Sequence, residues 1–231
     1  MVENKVDEIE TLLAEIQFDR WVFGFPTKFT VVSHGHVDHD PIRHINGLEF
    51  DFPEPLIFGE RYANAWVRHQ EFARKRVEGP VRFPAHYPLG DGVSVRVKGV
   101  KITCLGPNTV AKYVGIQGKV QLHADWWLLA TRKLLVLFVG ELNLPEIPLL
   151  DRLLHSPQID AVLLPSYGKI EPPKHGVSKP EELAEAVKNL ALQLKARGKS
   201  VYALPHPVTP DWALKSAIRK GRSWKDVRKA L

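Results

Sequence analysis

The chain has 231 residues, of which 44% are hydrophobic and 25% are charged, and these shares are typical of a folded globular protein. They exclude disorder and a fibrous repeat, and the length predicts one domain with a single large core. The only cysteine, Cys104, excludes an internal disulfide and favours a cytoplasmic setting. The acidic start and the short apolar runs predict neither a signal peptide nor a membrane contact.

The net charge of +6 is distributed unevenly along the chain. Residues 211–231 contain seven Lys or Arg against two Asp, so this segment alone carries +5. We therefore predict a nearly neutral domain over residues 1–210 and a basic helical tail over residues 211–231. Such a tail can neutralise phosphates, which makes a nucleic acid one candidate partner. A charged helix that is simply solvated is the plainer alternative.

Hydrophobic periodicity predicts the elements in chain order. Apolar residues at helical spacing indicate an amphipathic helix over residues 5–17, and a β-branched run indicates a strand over Phe29–Ser33 that ends at His34. Further strands are expected at 56–58, 93–97, 100–104, 119–123, 126–130, 134–139, 161–164 and 201–204. Further helices are expected at 60–76, at 149–155 and between Ser178 and Gly198. Strands in the middle of the chain with helices around them predict two sheets covered by helices.

The most informative segment is the loop Ser33–Asp40, which follows a predicted strand directly and reads SHGHVDHD. Three imidazoles and a carboxylate within six residues cannot all face one side of a regular element, so they indicate a tight loop. We predict that His34 and His36 bind one ion, while Asp38 and His39 turn to a second. These ligands suit Zn, Mn or Fe, and two ions about 3.5–4 Å apart can share a bridging hydroxide. The alternative is a His-rich surface turn.

This HxHxDH arrangement resembles the signature of the metallo-β-lactamase superfamily. The resemblance covers residues 27–208 and implies an α/β fold, a four-layer αββα sandwich with a dinuclear site at the sheet edge. It also implies later ligands at strand ends, namely His123, His206 and a bridging carboxylate. Where the family has Gly-Asp, this chain has Gly140-Glu141, and the extra methylene moves the carboxylate by about one bond length. Occupancy of the second ion and activity therefore both depend on Glu141.

Two further comparisons with the family concern the ends of the domain. Family members begin with a strand hairpin that carries an Ile-Asp-Pro-Gly-like turn, whereas the residues before His34 predict only one helix and one strand. We therefore expect a shortened N-terminal part, with the first sheet either trimmed or completed by another segment or subunit. The C-terminal half, from Ile159 to His206, resembles the hydrolases similar to ascorbate-6-phosphate lactonase.

The resemblance admits three functions. The first is a metal-dependent hydrolase, in which a metal-bound hydroxide attacks an ester, lactone or phosphoester and Asp38 or Glu141 orients it or takes up a proton. The second is a nuclease acting on RNA or DNA, which the basic tail motivates. The third is an inactive scaffold, which Glu141 and the N-terminus motivate. We favour the hydrolase with two divalent ions, Zn first and Mn or Fe as alternatives.

Candidate substrate-binding residues lie in the loop after the strand predicted at 161–164. They are Tyr167, Lys169 and His175. Lys169 or His175 has the chemistry to bind a phosphate or to polarise a carbonyl. An ordinary solvated loop is the plainer interpretation of these three residues.

Overall fold

The computed structural model describes residues 2–19, 21–22, 27–34, 55–76, 83–115, 118–166 and 180–205, with residues 108–115 and 118–123 described by their backbone alone. Within these ranges the helices are α1 (Val2–Ala14), α2 (Glu60–Arg76), α3 (Ile147–Leu154) and α4 (Pro180–Ala196). The strands are β1 (Ile16–Phe18), β2 (Trp21–Val22), β3 (Phe29–Val32), β4 (Leu56–Gly59), β5 (His86–Leu89), β6 (Ser94–Val97), β7 (Val100–Gly115), β8 (Gly118–Ala130), β9 (Leu135–Val139), β10 (Ala161–Ser166) and β11 (Ser200–Pro205).

The strands form two sheets. The first has the order β2-β1-β3-β4-β5, in which only the β1–β2 pair is antiparallel. The second has the order β11-β10-β9-β8-β7-β6, in which β6 to β9 are antiparallel neighbours and β9 to β11 are parallel ones. Parallel neighbours require a crossover, and α2, α3 and α4 each provide one between consecutive strands of a parallel pair.

Alternating side chains of these strands pack on both faces of each sheet. Val31 and Phe138 lie in the central core between the sheets, together with the inner face of α1. Val32 faces α2 on the outside of the first sheet, and Val139 faces α3 and α4 on the outside of the second. The layers are therefore helix, sheet, sheet and helix, which confirms the predicted αββα fold class. In the described ranges no helix is long and apolar enough to span a membrane.

Trp126 and Trp127 show that β8 is buried on both faces. They are adjacent in the strand and therefore point to opposite sides of the sheet. Trp127 is fully buried in the central core, and Trp126 is 1% exposed in the outer core beneath α3 and α4. Both indoles are thus core residues.

The residues before His34 form more than the one helix and one strand that we expected. Helix α1 ends at Ala14 instead of residue 17, and the chain continues into β1 and β2, which pair antiparallel. Ile16 fits the helical spacing, but it also alternates with Phe18, and parallel pairing with β3 buries both side chains completely. Tertiary pairing overrides local helical periodicity here. The first sheet consequently has its N-terminal hairpin within the described chain.

The two strands predicted at 119–123 and 126–130 are one strand. Ala124 and Asp125, which we expected to separate them, pair with Thr109 and Pro107 of β7, and register shifts beside Pro107 absorb the irregularity. His123 consequently lies inside β8 and not at a strand end, with its backbone opposite Val110.

Candidate metal centre

The candidate site lies at the edge of the sandwich where β3 and β9 end. Ser33 and His34 follow β3 in the first sheet, and Gly140 and Glu141 follow β9 in the second. The backbone carbonyl of Ser33 accepts a hydrogen bond of 3.0 Å from the amide of Asp125 in β8. The two sheets are therefore joined at this edge by the residue that begins the His-rich loop.

Gly140 allows the two strand ends to meet. A Cβ atom on Gly140 would lie 2.1 Å from Ser33 Cβ and 2.3 Å from Ser33 Oγ. Because these distances are far below van der Waals contact, only glycine fits this position without movement of the strands. The next residue, Glu141, is thereby placed beside His34.

His34 and Glu141 face each other in the interior. Their side chains are 0% and 6% exposed, and His34 Nε2 lies 3.9 Å from Glu141 Oε2. This distance is too long for a direct hydrogen bond. It is shorter than about 4.2 Å, the sum of typical Zn–N and Zn–O bond lengths, so one ion can bind both atoms. The donor types and their separation therefore fit a divalent ion.

The backbone of Glu141 is held from the second sheet. The indole Nε1 of Trp126 donates a hydrogen bond of 3.2 Å to the carbonyl oxygen of Glu141. Because Trp126 is buried in the outer core, this bond fixes the point at which the Glu141 side chain leaves the backbone.

A buried carboxylate, Asp19, contacts His34 indirectly through the Ser33 hydroxyl. Asp19, in the turn after β1, accepts hydrogen bonds from the amide of Ser33 (2.6 Å) and from the Ser33 hydroxyl (2.8 Å). The same hydroxyl oxygen lies 2.9 Å from His34 Nδ1. The sequence did not indicate Asp19, because the helix predicted over residues 5–17 covered most of β1, the strand that Asp19 follows.

A second polar cluster lies next to the site. The guanidinium of Arg61 donates to both carboxylate oxygens of Asp91 at 2.6 Å, and its Nη1 lies 3.4 Å from Asp125 Oδ1. Burial raises the pKa of Asp125 to about 6, which the charge of Arg61 opposes, while the hydrogen bond from Arg61 lowers the pKa of Asp91. Burial also raises the pKa of the neighbouring Cys104 thiol to about 12.

This second cluster is an ion-pair network. Ligand atoms of Asp91, Cys104 and Asp125 lie within 4.8 Å of one another. The cation among these residues is the guanidinium of Arg61, which already pairs with Asp91. The sequence did not indicate this network, because its members come from four separate segments of the chain and follow no local motif.

The structure describes the side chains of two predicted ligands, His34 and Glu141, and brings them together. His123 is described by its backbone alone. The remaining predicted site residues lie outside the described residues, and their roles stay predictions: His36, Asp38, His39, Tyr167, Lys169, His175 and His206. The basic segment 211–231 also lies outside them.

No family model and no curated protein sequence matches the chain. Among solved structures, it matches CmlA, a diiron β-hydroxylase from Streptomyces venezuelae, at 11% identity over 80% of this chain and 46% of that one, with a TM-score of 0.44. It matches Zn²⁺-bound PqqB from Methylobacterium extorquens at 9% identity over 86% and 78%, with a TM-score of 0.40. It matches the metallo-β-lactamase fold protein YhfI from Bacillus subtilis at 14% identity over 77% and 74%, with a TM-score of 0.39.

The chain spans less than half the length of the CmlA structure that it matches. The solved structures that it resembles include metallo-β-lactamase-fold proteins. The αββα layers described above are those that the resemblance of the HxHxDH loop implied. The narrower resemblance to the group of ascorbate-6-phosphate lactonase stays a prediction.

Proposed function

We propose that the chain is a metal-dependent hydrolase whose reaction centre lies at the edge where β3 and β9 end. The observation that supports this most is the pair His34 and Glu141, which is buried with 3.9 Å between Nε2 and Oε2. A buried imidazole and carboxylate that are too far apart for a hydrogen bond suit one shared ion. Bound divalent ions, Zn or alternatively Mn or Fe, would supply an activated water and polarise an ester, lactone or phosphoester.

The proposed roles of the chain's own residues follow from the predicted ligand set. His34, His36 and His123 would hold one ion, and Asp38, His39 and His206 the other, with Glu141 between them. Asp38 or Glu141 would orient the attacking water and accept its proton. Tyr167, Lys169 and His175 would contact the substrate. The lone cysteine supports a cytoplasmic location.

The test combines metal analysis with hydrolysis assays. We expect the purified protein, dialysed against trace zinc, to retain bound metal and to hydrolyse p-nitrophenyl acetate or bis(p-nitrophenyl) phosphate. Glu141→Gln keeps the volume of the side chain but removes its charge, so it should lower the metal content and reduce hydrolysis by about tenfold or more. Losses of that size are typical even of residues that only hydrogen-bond to a metal ligand.

Glu146→Gln is the matched control. Glu146 lies close in sequence, and its Oε2 accepts a hydrogen bond of 2.7 Å from the amide of Asn143, which a glutamine oxygen can also accept. It should leave metal content and hydrolysis unchanged. Only trace metal in the wild type, or a Glu141→Gln variant that equals the wild type, would refute the proposal. Cleavage of RNA in place of small esters would favour the nuclease that the basic segment 211–231 motivates.

A further inference from the structure

Asp19, Ser33 and His34 form a buried chain of hydrogen bonds behind the candidate centre. The three residues are 2%, 1% and 1% exposed. Asp19 Oδ1 accepts from the Ser33 amide at 2.6 Å, Asp19 Oδ2 lies 2.8 Å from Ser33 Oγ, and Ser33 Oγ lies 2.9 Å from His34 Nδ1. These hydrogen bonds therefore connect the Asp19 carboxylate, through the Ser33 hydroxyl, to Nδ1 of the His34 imidazole.

The direction of each hydrogen bond can be assigned from the groups involved. An ionised carboxylate only accepts, so the Ser33 hydroxyl must donate its single proton to Asp19 Oδ2. Its oxygen then presents lone pairs to His34 Nδ1, and this nitrogen must carry a hydrogen to complete the contact. In a neutral imidazole the other nitrogen, Nε2, then has a lone pair and no hydrogen. That nitrogen is the one facing Glu141.

We propose that Asp19 and Ser33 are positioning residues that hold neutral His34 in the Nδ1–H tautomer. A metal ion binds imidazole through the nitrogen that lacks a hydrogen, so this tautomer directs a ligating Nε2 toward Glu141. The role of this tautomer in metal binding rests on the proposed function. The tautomer itself, however, is a property of the metal-free protein and can be measured there.

The backbone of Asp19 allows a matched substitution. Its φ is 50°, in the left-handed region that favours glycine, and its amide donates a hydrogen bond of 2.7 Å to the carbonyl of Val31. Aspartate adopts this region more readily than most residues other than glycine, because its short polar side chain can form local hydrogen bonds. Asparagine also tolerates the left-handed region, so Asp19→Asn changes the hydrogen-bond donors without changing the backbone preference.

Asp19→Asn is expected to reverse the direction of the hydrogen bonds that connect residue 19, Ser33 and His34. The amide oxygen can still accept from the Ser33 amide, while the amide nitrogen takes the place of Oδ2 and donates to Ser33 Oγ. The Ser33 hydroxyl is then released to donate to His34 Nδ1, which moves the imidazole hydrogen to Nε2. Long-range ¹H–¹⁵N correlation spectra of the metal-free protein at a pH where His34 is neutral should show the Nδ1–H tautomer in the wild type and Nε2–H in the variant.

A second readout is zinc affinity, measured by competition with a chelating dye. We expect it to fall about 10- to 100-fold in Asp19→Asn, as for other partners of metal-binding histidines. Ser33→Ala removes the bridging hydroxyl and only reduces volume beside Gly140, and it should lose the tautomer preference. His155, whose Nδ1 lies 2.7 Å from the Asp151 carbonyl, should keep an Nδ1–H tautomer throughout and provides the internal reference.

The two proposals fail separately. Wild-type protein that binds no zinc would overturn the proposed function, while the spectra would still decide the tautomer. An Nε2–H tautomer in the metal-free wild type would overturn the positioning role. So would Ser33→Ala or Asp19→Asn variants in which the tautomer and the zinc affinity both equal those of the wild type.

Discussion

Gly140→Ala tests the close approach of β3 and β9. The added Cβ would lie 2.1 Å from Ser33 Cβ, 2.3 Å from Ser33 Oγ and 3.2 Å from Phe138 Cζ. Carbon atoms normally approach to about 3.5–4.0 Å, so the strand ends must separate by about 1.5 Å. Overpacking of this kind costs about 1–3 kcal/mol, and the stiffer unfolded chain returns only about 0.4–1 kcal/mol. We expect a net loss in the free energy of unfolding of about 1–2 kcal/mol.

The same movement should abolish zinc binding, because 3.9 Å between His34 and Glu141 already lies close to the span of one ion. Urea denaturation and a zinc competition assay measure the two effects. Gly90→Ala is the matched control, since the atoms nearest to its Cβ would be carboxylate atoms of Glu60, at 3.4 Å. It should unfold at an equal or slightly higher urea concentration. If Gly140→Ala matched the wild type in both assays, the tight contact with Ser33 would be refuted.

Further predictions concern the neighbouring ion-pair network and the Cys104 thiol beside it. Arg61→Ala leaves Asp125, which is 1% exposed, without the guanidinium 3.4 Å away, so it should lower the free energy of unfolding by about 1–3 kcal/mol in urea at pH 7. Asp91→Asn should cost less than about 1 kcal/mol, because Asp91 is half exposed, and the opposite order would contradict the network. Burial raises the pKa of Cys104 to about 12, so iodoacetamide should label it only after unfolding. Above its ordinary pKa the unfolded chain loses this proton first, so stability should fall with rising alkaline pH, and Cys104→Ala should flatten that slope.

Elements with strong local periodicity could be predicted from the sequence. Helix α2 has the predicted bounds, and β9 differs from its prediction by one residue. The errors occur where two patterns overlap or where pairing decides. Ile16 satisfies both a helical and an alternating pattern, and its pairing with β3 selects the strand. Asp125 lies at a position that indicated a break, but β7 accommodates it through irregular register.

The candidate site shows the same division between local and distant information. The HxHxDH loop and Gly140-Glu141 are visible in the sequence because each is a short contiguous motif. Asp19 is not, since its contact with Ser33 spans 14 residues and exists only once β1 pairs with β3.

The contact between Ser33 and Gly140 joins the two contiguous motifs to the distant residue Asp19. The sequence showed the glycine as part of a resemblance and the glutamate as a departure from it. In the structure, the absent side chain of Gly140 leaves room for Ser33, whose hydroxyl bonds Asp19 and contacts His34 Nδ1. The same close packing places Glu141 opposite His34 Nε2. The glycine and the serine therefore have to be read together, because either a larger residue at 140 or a shift of Ser33 would disturb both nitrogens of His34 at once.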